Sequence, residues 1–67
     1  MISIVVNGEA LEVESGMTLA DLIQGRGLAP EEVATEVNRS LVPRVTRGER
    51  VLVSGDRIEL VTMVGGG

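Results

Sequence analysis

The dipeptide Asn7-Gly8 constrains this chain more than any other feature. Both residues tolerate positive φ, which the tightest β-hairpin turns require, and both flanks alternate. Before the turn, Ile2, Ile4 and Val6 fall on one face. After it, Leu11 and Val13 do the same. The sequence therefore predicts a hairpin with strands over 2–6 and 9–13. The following segment offers a cover for its apolar face. Thr18 is placed to cap a helix, because its hydroxyl can accept from an N–H two or three residues on. Asp21 adds negative charge in the first turn, where the helix dipole favours it. Leu19, Leu22 and Ile23 form one apolar stripe, Arg26 suits the last turn, and Gly27 suits a left-handed terminus. One short helix is expected over 19–26.

The rest reads as short extended pieces separated by turns. Pro30 opens a turn through Glu32. Residues 33–38 alternate, with Val33 and Val37 flanking Thr35, and Asn38-Arg39-Ser40 is a turn. Leu41-Val42 is extended, and Pro43 confines it to an edge or a short strand. Thr46 to Glu49 reads as a polar loop, Val51-Leu52-Val53 as a short apolar run, and Ser54-Gly55-Asp56 as a tight turn. The clearest strand follows over 58–64, with Ile58, Leu60, Thr62 and Val64 on one face. The most hydrophobic strands belong in the middle of a sheet, so this last strand is expected beside the first. The expectation is an α+β fold in a single domain, residues 1–67. A mixed sheet of four to five strands packs on one short helix and ends in a flexible glycine tail, 65–67.

Composition narrows the chemistry. The 67 residues contain no Cys, no His and no Phe, Tyr or Trp, and the six basic residues are all Arg. Without Cys there is no thiolate nucleophile, disulfide or thiolate-bound zinc. Without His or Lys the usual bases of nucleophilic catalysis are missing. The same lack of Lys removes the last invariant residue of a phosphate-binding P-loop. A net charge of −4 and the absence of stacking aromatics argue against nucleic acid. No apolar run approaches a membrane span and no signal-peptide pattern is present, so a cytoplasmic protein is expected. Carboxylates remain. Glu9, Glu12 and Glu14 share the first hairpin, Glu31, Glu32 and Glu36 the middle, and Asp56 and Glu59 the last turn. All are expected to be solvated, since so small a chain can hardly form a catalytic cleft.

That leaves Gly65-Gly66-Gly67. Residues without Cβ have the narrowest cross-section a peptide can offer, so such a tail can thread an enzyme channel and deliver its terminal carboxylate. A frayed end is the alternative. If 58–64 turns Ile58 and Leu60 inward, Val61 and Met63 face outward beside the tail. They then form a docking patch, or else part of a second buried face.

Five segments in order resemble the ThiS sulfur-carrier family of thiamine biosynthesis, whose members are small ubiquitin-like β-grasp proteins. They are Ile4-Val5-Val6-Asn7-Gly8-Glu9, Thr18-Leu19-Ala20-Asp21-Leu22-Ile23, and Val37-Asn38-Arg39-Ser40-Leu41-Val42-Pro43-Arg44. Gly55-Asp56-Arg57-Ile58-Glu59-Leu60-Val61 and Val64-Gly65-Gly66-Gly67 complete the set. The resemblance implies that the Gly67 carboxylate is adenylated with ATP by an E1-like, ThiF-type adenylyltransferase. A cysteine desulfurase relay then supplies sulfur to give a thiocarboxylate, which a ThiG-type thiazole synthase consumes. Gly66 matches the second glycine of the family's end, and Gly65 is a spacer. In that role the chain is a carrier rather than an enzyme and binds no cofactor itself. Related readings are the small subunit of molybdopterin synthase and a ubiquitin-like interaction module with an inert tail. The absence of Lys and Cys has a further consequence for a carrier: its own activated tail meets no side-chain amine or thiol to acylate.

Overall fold

A computed structural model describes residues Met1–Met63. The expected Val64 inward position and the Gly65–Gly67 tail lie outside the described residues. Within them, the chain forms a five-stranded sheet and one α-helix: β1 (Ile2–Val6), β2 (Glu9–Val13), α1 (Leu19–Gly25), β3 (Val33–Val37), β4 (Ser40–Leu41) and β5 (Arg57–Thr62). Two 3₁₀ turns, Pro30–Glu32 and Arg44–Glu49, flank β3 and β4 in sequence. The strand order is β2-β1-β5-β3-β4. This is the mixed, one-helix β-grasp arrangement that the sequence leads one to expect.

The hairpin β1–β2 is antiparallel, from Ile2 opposite Val13 to Val6 opposite Glu9. Asn7 and Gly8 take φ of 49° and 84°, the left-handed pair that a two-residue hairpin turn demands. Asn7 has a second task. Its Nδ2 donates to the Leu60 carbonyl at 3.2 Å, and its Oδ1 accepts from the Leu60 N–H at 2.8 Å. The side-chain amide stands in for a strand backbone and continues the parallel β1–β5 pairing past the end of β1. β5 is therefore central, with β1 parallel on one side and β3 antiparallel on the other.

Helix α1 begins at Thr18, whose Oγ1 accepts from the Asp21 N–H while the Asp21 carboxylate accepts from the Thr18 N–H, both at 3.1 Å. This reciprocal cap satisfies two groups that a helix start otherwise leaves unpaired. The helix ends at Arg26, and Gly27 follows with φ of 73°. The stripe Leu19, Leu22 and Ile23 packs on Ile4, Val6, Val33, Val37, Ile58 and Leu60 of the sheet, with Leu52 closing one end. The core is wholly aliphatic and branched.

Four expectations need correction. Leu11 lies on the core side of β2, opposite Ile4, yet is 37% exposed, because the edge strand extends beyond the helix that covers its neighbours. Thr62 shares the inward face of Ile58 and Leu60 but is exposed at the end of β5, although Val33 opposite it is buried. Thr46 to Glu49 is not a loose polar loop but part of a 3₁₀ turn in which Arg47 is 5% exposed. Asp56 is not solvated; it is 3% exposed.

Candidate functional site

Strand β5 leads to the glycines, so its two ends define the site. At its start, Ser54-Gly55-Asp56 turns the chain, with φ of 92° at Gly55. The Asp56 Oδ2 accepts from the Val53 N–H at 2.9 Å and Oδ1 accepts from Asn38 Nδ2 at 3.0 Å, while Arg50 approaches at 3.4 Å. Asn38 Oδ1 in turn accepts from the Arg57 N–H at 3.0 Å. One carboxylate thus ties the β3–β4 turn to the first residue of β5. Burial pushes the Asp56 pKa up, but the Val53 N–H, the Asn38 amide and the Arg50 charge together outweigh it and hold the group below the usual carboxylate value. A carboxylate so held stays ionised and has no proton to give at neutral pH, so it is a structural tie.

At the other end the support thins. Through Leu60, β5 is held from both sides, by Asn7 and by β3. Beyond it, the partners among the described residues lie on the β3 side: Ala34 opposite Val61, Val33 opposite Thr62, and a bond from the Met63 N–H to the carbonyl of Glu32, just ahead of β3, at 2.7 Å. Val61 and Met63 are 60% and 52% exposed, as the sequence pattern predicts, so neither belongs to a second buried face. On the same outer face, Glu59 lies directly opposite Glu36, and Glu36 directly opposite Leu41. An apolar patch at the root of the tail therefore grades into a pair of carboxylates with like charge, which repel each other across the strands.

Among the described residues no cluster of acidic side chains has the geometry of a metal centre, and no helix is long and apolar enough to cross a membrane. The surface recess lined by Asn38, Arg39, Arg57 and Glu59, about 460 Å³, holds no nucleophile beside a base. Of the residues singled out from the sequence, the structure brings Val61 and Met63 to the tail's root, while Gly65, Gly66 and Gly67 lie outside the described residues. Sequence reasoning missed Arg47. Its guanidinium donates to the carbonyls of Pro30 at 2.8 Å and Val33 at 2.5 Å, on either side of the Glu32 that receives the Met63 N–H. Nothing in the local pattern Thr46-Arg47-Gly48-Glu49 marks it as buried.

Comparison with known proteins agrees with this architecture. The structure of the thiamine biosynthesis protein ThiS from Geobacter metallireducens superimposes with a TM-score of 0.83 at 25% identity, covering 98% of this chain and 100% of that one. Two curated thiazole synthases contain a similar segment. That of Magnetococcus marinus is 48% identical over 62 residues, and that of Paramagnetospirillum magneticum 33% over 64. The chain spans only 19% and 20% of the length of those two proteins, although 92% and 96% of its own. The sequence profile of the ThiS family matches residues 3–67, from the first strand to the last glycine, and the chain belongs to the ThiS family.

Proposed function

We propose that this chain is a sulfur carrier for thiazole formation in thiamine biosynthesis and that Gly67 bears the sulfur. The observation that carries the reading is the family match through residue 67, which takes in the whole Gly65-Gly66-Gly67 end. The fold supports it: the central strand β5 ends at Thr62, shortly before that end in the sequence, and the residue inventory lacks Cys, His and Lys.

The chemistry follows from the carboxylate. It is a poor electrophile until it acquires a leaving group. An oxygen of the Gly67 carboxylate attacks the α-phosphate of ATP, pyrophosphate departs, and an acyl adenylate forms. The terminal sulfur of a persulfide delivered by a cysteine desulfurase relay then attacks the acyl carbon and AMP leaves; a second thiol of the relay reduces the resulting acyl disulfide, releasing the thiocarboxylate and leaving a disulfide on the relay. Phosphate-binding and charge-stabilising groups come from the E1-like adenylyltransferase, because this chain has no Lys with which to complete a P-loop. Gly65 and Gly66 thread the partner's channel. Val61 and Met63 dock the body so that the carboxylate reaches the nucleotide, with Glu36 and Glu59 steering the approach of a basic surface. Thiazole synthase is the acceptor. The presence of a similar segment inside two thiazole synthases supports that pairing, since a shared polypeptide keeps carrier and acceptor together. The ThiS family match favours thiamine over the related molybdopterin pathway.

The test is intact-mass measurement after incubation with the adenylyltransferase, ATP and a sulfur source. An oxygen-to-sulfur exchange that disappears when Gly67 is deleted is expected. No mass change while the partner consumes ATP would falsify the carrier role. Growth of a thiamine auxotroph lacking its own carrier, restored by this chain, is expected for the thiamine assignment.

A further inference from the structure

We propose that Arg47 is a positioning residue that secures the bond between Met63 and Glu32, ahead of the glycines; its effect on turnover rests on the carrier reading above. The argument begins with strand parity. Glu32 accepts from the Met63 N–H, and Asn38 donates its N–H to the Arg57 carbonyl, so even-numbered residues of this stretch turn their polar backbone groups toward β5. Odd-numbered residues turn theirs the other way, toward β4. There Val37 pairs with Ser40, and the Thr35 carbonyl accepts from the Val42 N–H at 3.0 Å. By the same register Val33 should meet residue 44. It does not, because Pro43 ends the extended chain and Arg44–Glu49 winds into a 3₁₀ turn. The Val33 carbonyl would be left without a partner at the edge of the sheet. The Arg47 guanidinium, coming from that turn, supplies the missing donor and reaches the Pro30 carbonyl with its other arm.

Pro30 and Val33 bracket Glu32, so one planar, rigid group fixes both ends of the segment whose middle carbonyl holds Met63. Arg47 is 5% exposed, and none of the described carboxylates pairs with it. Its buried Nε has no hydrogen-bond partner among the described residues. A buried cation so poorly compensated is a costly way to fill space, and an aliphatic side chain of similar length would fill it more cheaply. What only the guanidinium provides is the pair of donors. If the Met63–Glu32 bond opens, one further residue ahead of the glycines is released, about 3.3–3.6 Å of chain. That residue must then be ordered at each encounter, which lowers the productive fraction about tenfold.

The test uses the full chain with Arg47→Met and Arg47→Lys. Amide exchange is followed by NMR at Met63 and, as internal controls, at Val5 and Asn7, whose N–H groups bond to Asp56 and Ile58 in the core sheet. Adenylation kinetics with the E1-like partner are measured alongside. Expected for Arg47→Met is about tenfold faster exchange at Met63 with the controls unchanged. The kcat for adenylation should fall about tenfold at unchanged KM, because the body docks as before. Arg47→Lys, which keeps the charge and can reach one carbonyl, should fall between. Unchanged Met63 exchange in Arg47→Met overturns the proposal, as does faster exchange with normal kcat. If Arg47→Met loses protection at the controls too, Arg47→Lys is read alone, and wild-type exchange and turnover in it overturn the proposal. A wild-type chain that is never adenylated refutes the carrier reading and the kinetic claim, while Met63 exchange still decides whether Arg47 holds the tail's root.

Discussion

Replacing Asp56 by Asn removes one charge and one acceptor at nearly constant volume. The Asp56 oxygens accept on both sides, Oδ2 from the Val53 N–H and Oδ1 from the Asn38 amide and, more distantly, Arg50. An asparagine has only one oxygen. Whichever way it turns, its NH₂ faces another donor in a site that is 3% exposed. The variant therefore loses one charge-assisted bond and strands a second donor, at a cost of about 2–4 kcal/mol. Arg50 adds little to this figure, because it is half-exposed and screened. A chain of 67 residues has only about 3–10 kcal/mol of stability in all, so Tm should drop by about 10–25 °C. The effect has a pH signature. The folded-state pKa of Asp56 lies below 3.8, so the unfolded chain takes up the proton first. The contribution is whole above the unfolded value and is lost as pH falls through the folded one. Wild type and D56N should therefore differ fully at pH 7 and converge in acid. With no Trp or Tyr to report, urea unfolding is followed by far-UV circular dichroism across that pH range. A difference under about 0.5 kcal/mol at pH 7, or one that persists unchanged into acid, would refute the reasoning.

Three further outcomes are expected. Thr18→Ala removes one half of the reciprocal cap of α1 and should cost about 1 kcal/mol in the same urea assay. Ile58→Ala empties a fully buried site between the helix and the central strand, and should cost about 2–5 kcal/mol, enough to unfold a large share of the protein at 37 °C. Val61→Asp should leave stability within about 0.5 kcal/mol, because Val61 is exposed. On the carrier reading it should nonetheless weaken binding to the adenylating partner at least about tenfold by calorimetry, because it puts a charge into the proposed docking patch.

What could be read from the sequence was what neighbouring residues decide. The Asn7-Gly8 turn, the Thr18 cap and the left-handed Gly27 each depend on contacts within a few residues, and all three appear in the structure. The outward Val61 and Met63 followed from strand alternation alone. What could not be read depends on distant partners. The bond between Asn7 and Leu60 spans 53 positions, and no local pattern distinguishes an asparagine that only turns a hairpin from one that also splints a central strand. Asp56 and Arg47 both sit in polar stretches, and both are buried. Asp56 is drawn in by Asn38 and Val53, and Arg47 by a strand edge that Pro43 leaves unpaired. Their burial is set by which backbone groups the finished sheet leaves without partners, and that is known only once the strand order is known.

The same accounting explains why the tail's root sits where it does. A carrier must hold its docking surface rigidly while its reactive end remains long enough to enter a partner. Each residue that has to be ordered on docking costs about 1–2 kcal/mol, so a strand that frayed gradually would weaken every encounter. In this chain the change of support takes place over three residues. Leu60 is held by strands on both sides, Val61 and Thr62 by β3 alone, and Met63 by a single bond. Val61 and Met63 therefore remain part of the body, where the proposed docking needs an apolar patch to be, and Val64 separates them from the glycines. Removing support one residue earlier would detach the patch itself. On the carrier reading, the bond from Met63 to Glu32 marks the end of the docking body among the described residues, and the network around Glu32 is where that end is set.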